Sequence, residues 1–121
     1  MERDTDSGDL NATVSRGCVY WVTGLSGAGK TTLARTLADR LLSTDRSVVQ
    51  LDGDRMRAVL DGRFGHGQND RHALALIYAR LSRELSDQGH DVVCATVSMF
   101  HDVRAWNRVN IARYCEIWLR M

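Results

Sequence analysis

The segment from Gly24 to Thr31 has the residue types and spacing of a loop that binds phosphate. Its sequence, GLSGAGKT, fits the pattern G-x-x-x-x-G-K-[ST]. Glycines let the backbone turn tightly and direct its amide groups at one anion, and the N-terminus of a following helix adds positive potential. Lys30 can reach the β- and γ-phosphates of a nucleoside triphosphate, and the hydroxyl of Thr31 is suited to Mg²⁺. The predicted phosphate-binding residues are Gly24, Leu25, Ser26, Gly27, Ala28, Gly29, Lys30, Thr31 and Thr32.

Two aspartates flank Gly53 at the end of a second apolar segment, SVVQLDGD. In an extended chain, residues two apart project to the same side, so Asp52 and Asp54 are expected to face the sheet edge that carries the phosphate loop. A kinase needs a carboxylate there to orient an acceptor hydroxyl and to take its proton. The structural alternative is that one aspartate caps a helix and the other is a solvated turn residue. Arg57, one helical turn further on, could hold an anionic acceptor.

The hydrophobic pattern predicts the strands and helices that must position these residues. Strands are expected at 18–24, 47–54, 91–98 and 114–121, and helices at 30–42, 55–60, 71–89 and 102–112, with a glycine-rich loop at 61–70. Because strands alternate with helices, we expect an α/β fold with a parallel sheet and helices on both faces. Residues 1–16 are predicted to be a flexible lead-in, and residues 17–121 to form one domain.

The composition is that of one globular domain and argues against several classes of function. The chain has 121 residues, 44% of them hydrophobic and 26% charged, and a formal net charge of +1. This near-neutral charge does not favour nucleic acid as a partner. The apolar runs are too short to span a membrane, and the polar N-terminus does not resemble a secretory signal, so a cytoplasmic protein is expected. Its cysteines, Cys18, Cys94 and Cys115, are too far apart for a zinc motif and are predicted to be buried.

Three segments together resemble the adenylylsulfate kinases. GLSGAGKTTLA, LDGDRMR and ATVSMFHDVRAWNR occur in the order and at the spacing of that family, over about residues 18–119. The resemblance implies a P-loop NTPase fold of three layers with strand order 2-3-1-4. It implies Mg²⁺ and ATP as cofactors, and phosphoryl transfer to the ribose 3′-hydroxyl of adenosine 5′-phosphosulfate.

The resemblance also implies roles for individual residues. Lys30, Asp54 and Ser98 are expected to be catalytic, with Ser98 in a non-covalent role because in-line transfer needs only positioning and charge stabilisation. Thr31 and Asp52 are expected to hold the metal. The small nucleotide acceptor is expected to contact Asp52, Asp54, Arg57, His66, Arg71, Ser98, Met99 and Phe100.

The acceptor side departs from the family's pattern. The family usually has asparagine at Arg55, a base-stacking phenylalanine at His66, a base-contacting asparagine at Leu74, and proline and arginine at Met99 and His101. The segments GH, SDQG and SMF resemble instead kinases of bacterial capsule-modification clusters, some of which phosphorylate a nucleoside diphosphoramidate such as the cytidine compound. A smaller base would not need the aromatic stack, and an amidate would relax the need for an arginine at position 101. Both acceptors therefore stay open.

The C-terminal end is expected to be incomplete. Kinases of this type continue past the fourth strand with an arginine-bearing lid and a fifth strand that helps to hold adenine, whereas this sequence ends at Met121. Lid closure excludes water and completes the charge clamp, so these residues alone are expected to bind nucleotide weakly and to transfer little phosphate. The alternative to an enzyme is a non-catalytic nucleotide-binding module that pairs with another chain. A homodimer is also left open.

Overall fold

The chain folds around a four-stranded parallel sheet. The structure, a computed structural model, describes residues 15–24, 27, 29–96 and 99–120. The elements in chain order are β1 (Val19–Gly24), α1 (Lys30–Leu42), β2 (Val48–Asp52), α2 (Gly53–Val59), α3 (Gln68–Asp87), β3 (Asp91–Thr96), α4 (His101–Asn110) and β4 (Tyr114–Leu119). The strand order is β2-β3-β1-β4, with every pair parallel. This confirms the predicted α/β fold and strand order.

The core lies on both faces of the sheet because alternate residues of the central strands point to opposite sides. Val22 of β1 packs in one cluster with Ala34 and Ala38 of α1. Trp21, the preceding residue, packs in the other cluster with Tyr78 of α3. Helices therefore cover both faces, which gives the three layers that the resemblance implies.

A buried ion pair joins the strands at the amino-terminal edge of the sheet. The side chain of Asp91 is 1% exposed and pairs with the Nε of Arg46. Asp91 Oδ1 also accepts hydrogen bonds from Arg46 Nη2 at 2.8 Å and from the backbone amide of Cys18 at 2.9 Å. Burial of the Asp91 carboxyl acts to raise its pKa, but these hydrogen bonds outweigh burial and hold the pKa below its ordinary value. This contact ties β3 to the residue before β1 and to the segment that leads into β2.

Two predicted boundaries are wrong for a common reason, which is that helices begin earlier than the apolar pattern indicates. Strand β2 ends at Asp52, so Gly53 and Asp54 belong to the first turn of α2 and not to an extended chain. Helix α3 begins at Gln68, inside the predicted loop. Asp70 in its first turn accepts a hydrogen bond from the amide of Gly65 at 2.9 Å, and an acid suits the positive end of a helix.

The cysteine prediction is also partly wrong. Cys94 of the central strand β3 is buried, Cys18 is half-buried and Cys115 is exposed. Cys115 lies in β4, which in the described part of the chain is an edge strand with a neighbour on one side only. Within the same described ranges, no helix is both long and apolar enough to cross a membrane.

Candidate active site

A cavity of about 650 Å³ opens at the carboxyl ends of β2 and β3, where parallel sheets commonly bind ligands. Its volume lies in the range of small-molecule sites. The start of α1, the whole β2–α2 junction and one face of α3 contribute to its wall. The lining residues are Lys30, Thr31, Arg35, Asp52, Gly53, Asp54, Arg55, Arg57, His66, Arg71, Leu74, Tyr78, Ala95 and Thr96. Of the predicted site residues, the cavity therefore brings together Lys30, Thr31, Asp52, Asp54, Arg57, His66 and Arg71.

The described residues at which the predicted phosphate loop meets α1 suit anion binding. Gly29 has φ 94°, a left-handed conformation that strains residues with a side chain, and it directly precedes Lys30. The first turn of α1 contains no acid, so its positive end is available to an anion. Burial lowers the pKa of Lys30, which is the only lysine in the sequence. No other lysine can therefore replace it as the ammonium group at the phosphates.

Other residues of the predicted loop contribute differently. Gly24 is buried at the end of β1, where an added Cβ would lie 2.6 Å from the carbonyl oxygen of Leu119 in β4. A glycine is needed there because the two strands approach so closely. Thr32 is exposed on α1 and does not line the cavity. The predicted contacts of Leu25, Ser26 and Ala28 lie outside the described residues.

The two aspartates predicted at the sheet edge, Asp52 and Asp54, differ in their surroundings. Asp52 caps α2, since its Oδ1 accepts a hydrogen bond from the amide of Arg55 at 3.0 Å, as the structural alternative proposed. The side chain of Asp54 is fully exposed, and its Oδ1 lies 3.9 Å from Nη1 of Arg57. Both line the cavity, but the backbone that joins them is the first turn of a helix and not the extended chain that the sequence predicted. Asp54 is therefore the more accessible carboxylate at this edge.

Thr31 and Asp52 supply a donor set that fits Mg²⁺. The ion prefers oxygen ligands and is commonly bound by one or two protein groups together with substrate phosphates and water. Asp52 Oδ1 is occupied by the helix cap, so its Oδ2, with Arg55 Nε at 3.5 Å, is the oxygen left for a cation. Among the described residues, no three His, Cys, Asp or Glu side chains form a metal cluster.

One face of α3 forms the wall opposite the phosphate loop. Arg71, Leu74 and Tyr78 line the cavity, and their spacing places them on one side of the helix. Arg71 Nε donates a hydrogen bond to the carbonyl oxygen of His66 at 2.8 Å, which joins the preceding loop to the helix. Leu74 and Tyr78 are each 2% exposed. The wall thus changes from cationic groups to an apolar side chain and then to a phenol.

The surroundings of Gly53 explain why a glycine separates Asp52 from Asp54. An added Cβ would lie 3.2 Å from Arg57 Nη1 and 3.6 Å from the Tyr78 hydroxyl. Both side chains therefore rest close to the backbone of Gly53. Tyr78 was not predicted as a site residue, because its position in the predicted helix 71–89 suits the apolar face of that helix.

Arg35 was also missed as a site residue, and two predicted residues lie elsewhere. Arg35, one turn beyond Thr31 on α1, lines the cavity, and its spacing of four residues could have indicated this. Phe100 packs against the core, and its ring meets that of His72 edge to face at a centroid distance of 4.8 Å. Neither Met99 nor Phe100 lines the cavity, so their roles stay predictions.

Ser98, the remaining predicted residue, lies outside the described residues.

The fold and the site define a P-loop nucleotide-binding protein of the α/β class. The family model described as adenylylsulphate kinase matches residues 16–121, and the chain belongs to this family. An adenylyl-sulfate kinase of Chloroflexus aurantiacus is 40% identical over 107 residues, covering 88% of this chain and 58% of that protein. A cytidine diphosphoramidate kinase of Campylobacter jejuni is 36% identical over 101 residues, covering 84% of this chain and 59% of that protein.

Solved structures of APS kinases also resemble this chain. The Mycobacterium tuberculosis APS kinase CysC in complex with AMPPNP and APS has a TM-score of 0.78 and 31% identity, covering 86% of this chain and 62% of that chain. A hexameric APS kinase from Thiobacillus denitrificans has a TM-score of 0.73 and 33% identity, covering 85% of this chain and 22% of that chain. The chain spans about three fifths of the length of the two curated relatives named above, at 58% and 59%.

Proposed function

We propose that the protein transfers the γ-phosphoryl group of ATP to a hydroxyl of a small nucleotide. The observation that carries this proposal is one cavity lined by a phosphate-loop lysine, two aspartates and several cationic side chains. A nucleotide-binding module without catalysis would need the first of these features but not an exposed carboxylate facing the same space. Because the reaction consumes ATP, we assign it to the cytoplasm, and a homodimer is the proposed assembly.

Lys30 and the N-terminus of α1 hold the phosphates of ATP on the donor side. The ammonium group and the helix amides stabilise the negative charge that develops on the transferred group. Thr31 and Asp52 would hold Mg²⁺, which when bound neutralises charge on the β- and γ-phosphates. The β2–α2 junction lines the same cavity as Lys30 and Thr31, so the terminal phosphate is proposed to face that junction.

Asp54 is the proposed residue that orients the acceptor hydroxyl and takes its proton. The hydroxyl oxygen forms a bond to the γ-phosphorus as the bond to the leaving oxygen of ADP breaks, and the proton passes to the Asp54 carboxylate. Arg57 and Arg71 are proposed to hold the anionic part of the acceptor, since guanidinium groups bind such oxygens in pairs. Ser98 is proposed to position the acceptor without covalent participation, and Met99 and Phe100 to contact it.

Two acceptors are proposed, and the cavity wall favours neither outright. Arg57 and Arg71 suit the phosphosulfate of adenosine 5′-phosphosulfate as well as a diphosphoramidate. Leu74 and His66 line the cavity where the family pattern has asparagine and phenylalanine. This difference supports the second candidate, a cytidine diphosphoramidate kinase, because a smaller base would not need the aromatic stack.

An acceptor panel tests the proposal. Protein produced from the full gene is incubated with Mg·ATP and with adenosine 5′-phosphosulfate or cytidine diphosphoramidate, and the phosphorylated product is measured. Turnover of either nucleotide is expected, and the ratio of the two kcat/KM values identifies the substrate. ATP binding without turnover of either acceptor would contradict the kinase proposal and favour the non-catalytic module.

Gly53→Ala is expected to weaken acceptor binding about tenfold. The added methyl group would lie 3.2 Å from Arg57 Nη1, so the guanidinium must move by a few tenths of an ångström beside the acids. Titration calorimetry with each acceptor measures the effect. Gly67→Ala is the matched control, because a methyl group there meets no atom of the described residues within 4 Å. Unchanged acceptor affinity in Gly53→Ala would show that the position of Arg57 does not matter for binding.

A further inference from the structure

The hydroxyl of Tyr78 is a buried polar atom with no hydrogen-bond partner within the described ranges of the chain. The Tyr78 residue is 2% exposed, and the Nε of Arg57 beside it is likewise buried without a partner. Most buried polar groups in proteins are hydrogen-bonded, and an unpaired one lowers stability. Such exceptions are expected at functional sites, where a ligand supplies the missing partner.

The guanidinium group of Arg57 and the hydroxyl of Tyr78 lie close together in the cavity. Arg57 Nη1 and the Tyr78 hydroxyl are both within 4 Å of the position that a Cβ on Gly53 would occupy. Burial raises the pKa of the Tyr78 hydroxyl, so it keeps its proton and can donate. The Arg57 Nε can only donate. Two adjacent donors without partners suit an acceptor atom with spare lone pairs, and an anionic oxygen is the best such atom.

We propose that Tyr78 is a substrate-contacting residue whose hydroxyl donates a hydrogen bond to an anionic oxygen of the acceptor nucleotide, next to Arg57. This inference rests on the proposed function, since it assigns a further contact in the same acceptor site. Leu74, one turn before Tyr78 on α3, then gives an apolar surface for the sugar or base. Asp52 and Asp54 lie at the same end of the cavity, and Arg57 offsets their charge where the anion binds.

A purely structural tyrosine would look different. Tyr114, at the opposite edge of the sheet, accepts a hydrogen bond from Asn107 Nδ2 at 3.2 Å and donates one to Glu116 Oε1 at 3.1 Å. Its hydroxyl is fully used within the fold. The Tyr78 ring packs in the core, and phenylalanine would fill that space equally well. The hydroxyl of Tyr78 is thus the part of the residue that packing does not explain.

The test compares Tyr78→Phe with the matched variant Tyr114→Phe in the full-length protein. Adenosine 5′-phosphosulfate, cytidine diphosphoramidate and a non-hydrolysable ATP analogue are titrated by calorimetry, and Tm is measured without ligand. Tyr78→Phe is expected to weaken binding of the acceptor nucleotides about tenfold or more, with the ATP analogue unaffected and Tm unchanged or raised. Tyr114→Phe is expected to lower Tm and to leave acceptor binding unchanged.

Other results would overturn the inference in distinguishable ways. Wild-type acceptor affinity in Tyr78→Phe overturns the role of Tyr78 and leaves the proposed kinase function intact. A loss confined to one of two bound acceptors overturns the assignment to an anionic oxygen that both share, because the two nucleotides differ in base and in terminal group. If the wild-type protein binds the ATP analogue but neither acceptor, the proposed function fails and the Tyr78 contact fails with it.

Discussion

Asp54→Asn is expected to lower kcat for phosphoryl transfer by about 10²- to 10⁴-fold. Asparagine keeps the size of the side chain, but it can neither take the hydroxyl proton nor carry the negative charge of a carboxylate. Asp54 is fully exposed, and its nearest described ion pair, with Arg57, is 3.9 Å long. The variant should therefore fold with an unchanged Tm and bind ATP as the wild type does. Steady-state kinetics with saturating Mg·ATP and acceptor measure kcat.

Asp61→Asn is the matched control for this result. Asp61 is exposed beyond α2, does not line the cavity, and has φ 61°, a conformation that asparagine also tolerates. Its kcat should equal that of the wild type. If Asp54→Asn keeps more than about a tenth of the wild-type kcat, it falls outside the range for a lost general base, and the proposed role of Asp54 is wrong.

Arg46→Ala is expected to lower the free energy of unfolding by about 3 kcal/mol at pH 7. The substitution removes the guanidinium that pairs with Asp91 and leaves a carboxylate that is 1% exposed. The hydrogen bond from the Cys18 amide and the more distant charge of Arg113 then remain to stabilise that group. Denaturant unfolding followed by circular dichroism measures the change. Arg46 itself is 39% exposed, which is why the lower end of the range for buried pairs is expected.

The effect of Arg46→Ala should depend on pH in a defined direction. In the wild type the folded-state pKa of Asp91 is lowered, so its contribution to stability is present above the unfolded pKa and is lost as the pH falls through the folded pKa. Without Arg46, the folded-state pKa of Asp91 rises from its wild-type value, since burial is then opposed only by the Cys18 amide and the charge of Arg113. The difference between the two proteins should be largest near neutral pH and shrink below about pH 4.

Arg108→Ala is the control that separates a buried pair from an exposed one. Arg108 pairs with Glu116 at 2.7 Å, but its side chain is 58% exposed. Its loss should cost less than about 1 kcal/mol. A similar loss of stability in both variants would show that the burial of Asp91 does not set the strength of its ion pair.

Much of the fold could be predicted because its signals are local and periodic. The apolar runs around Trp21 and Cys94 indicated central strands, and the phosphate-loop pattern placed the start of α1 at Lys30. The junction at Gly53 could not be read in the same way. The conformation of this junction depends on whether Asp52 caps a helix with its side chain or the backbone continues as a strand. Both conformations suit the segment LDGD locally.

The site was predicted best where a motif defines both chemistry and position. Lys30, Thr31 and the two aspartates all line the cavity, because the carboxyl ends of parallel strands share one edge, and their roles there stay predictions. Tyr78 was missed because its helical spacing is fully accounted for by core packing. Only the three-dimensional structure reveals that its hydroxyl has no described partner.

The face of α3 that carries Arg71, Leu74 and Tyr78 has an evolutionary consequence. The groups proposed to handle ATP lie on α1 and at the β2–α2 junction, whereas three of the residues that line the acceptor side of the cavity share this one helix. Point substitutions on a single helical face could therefore change the acceptor while the donor chemistry stays intact. Such an arrangement would let one ancestral fold diversify by substrate exchange, one side chain at a time.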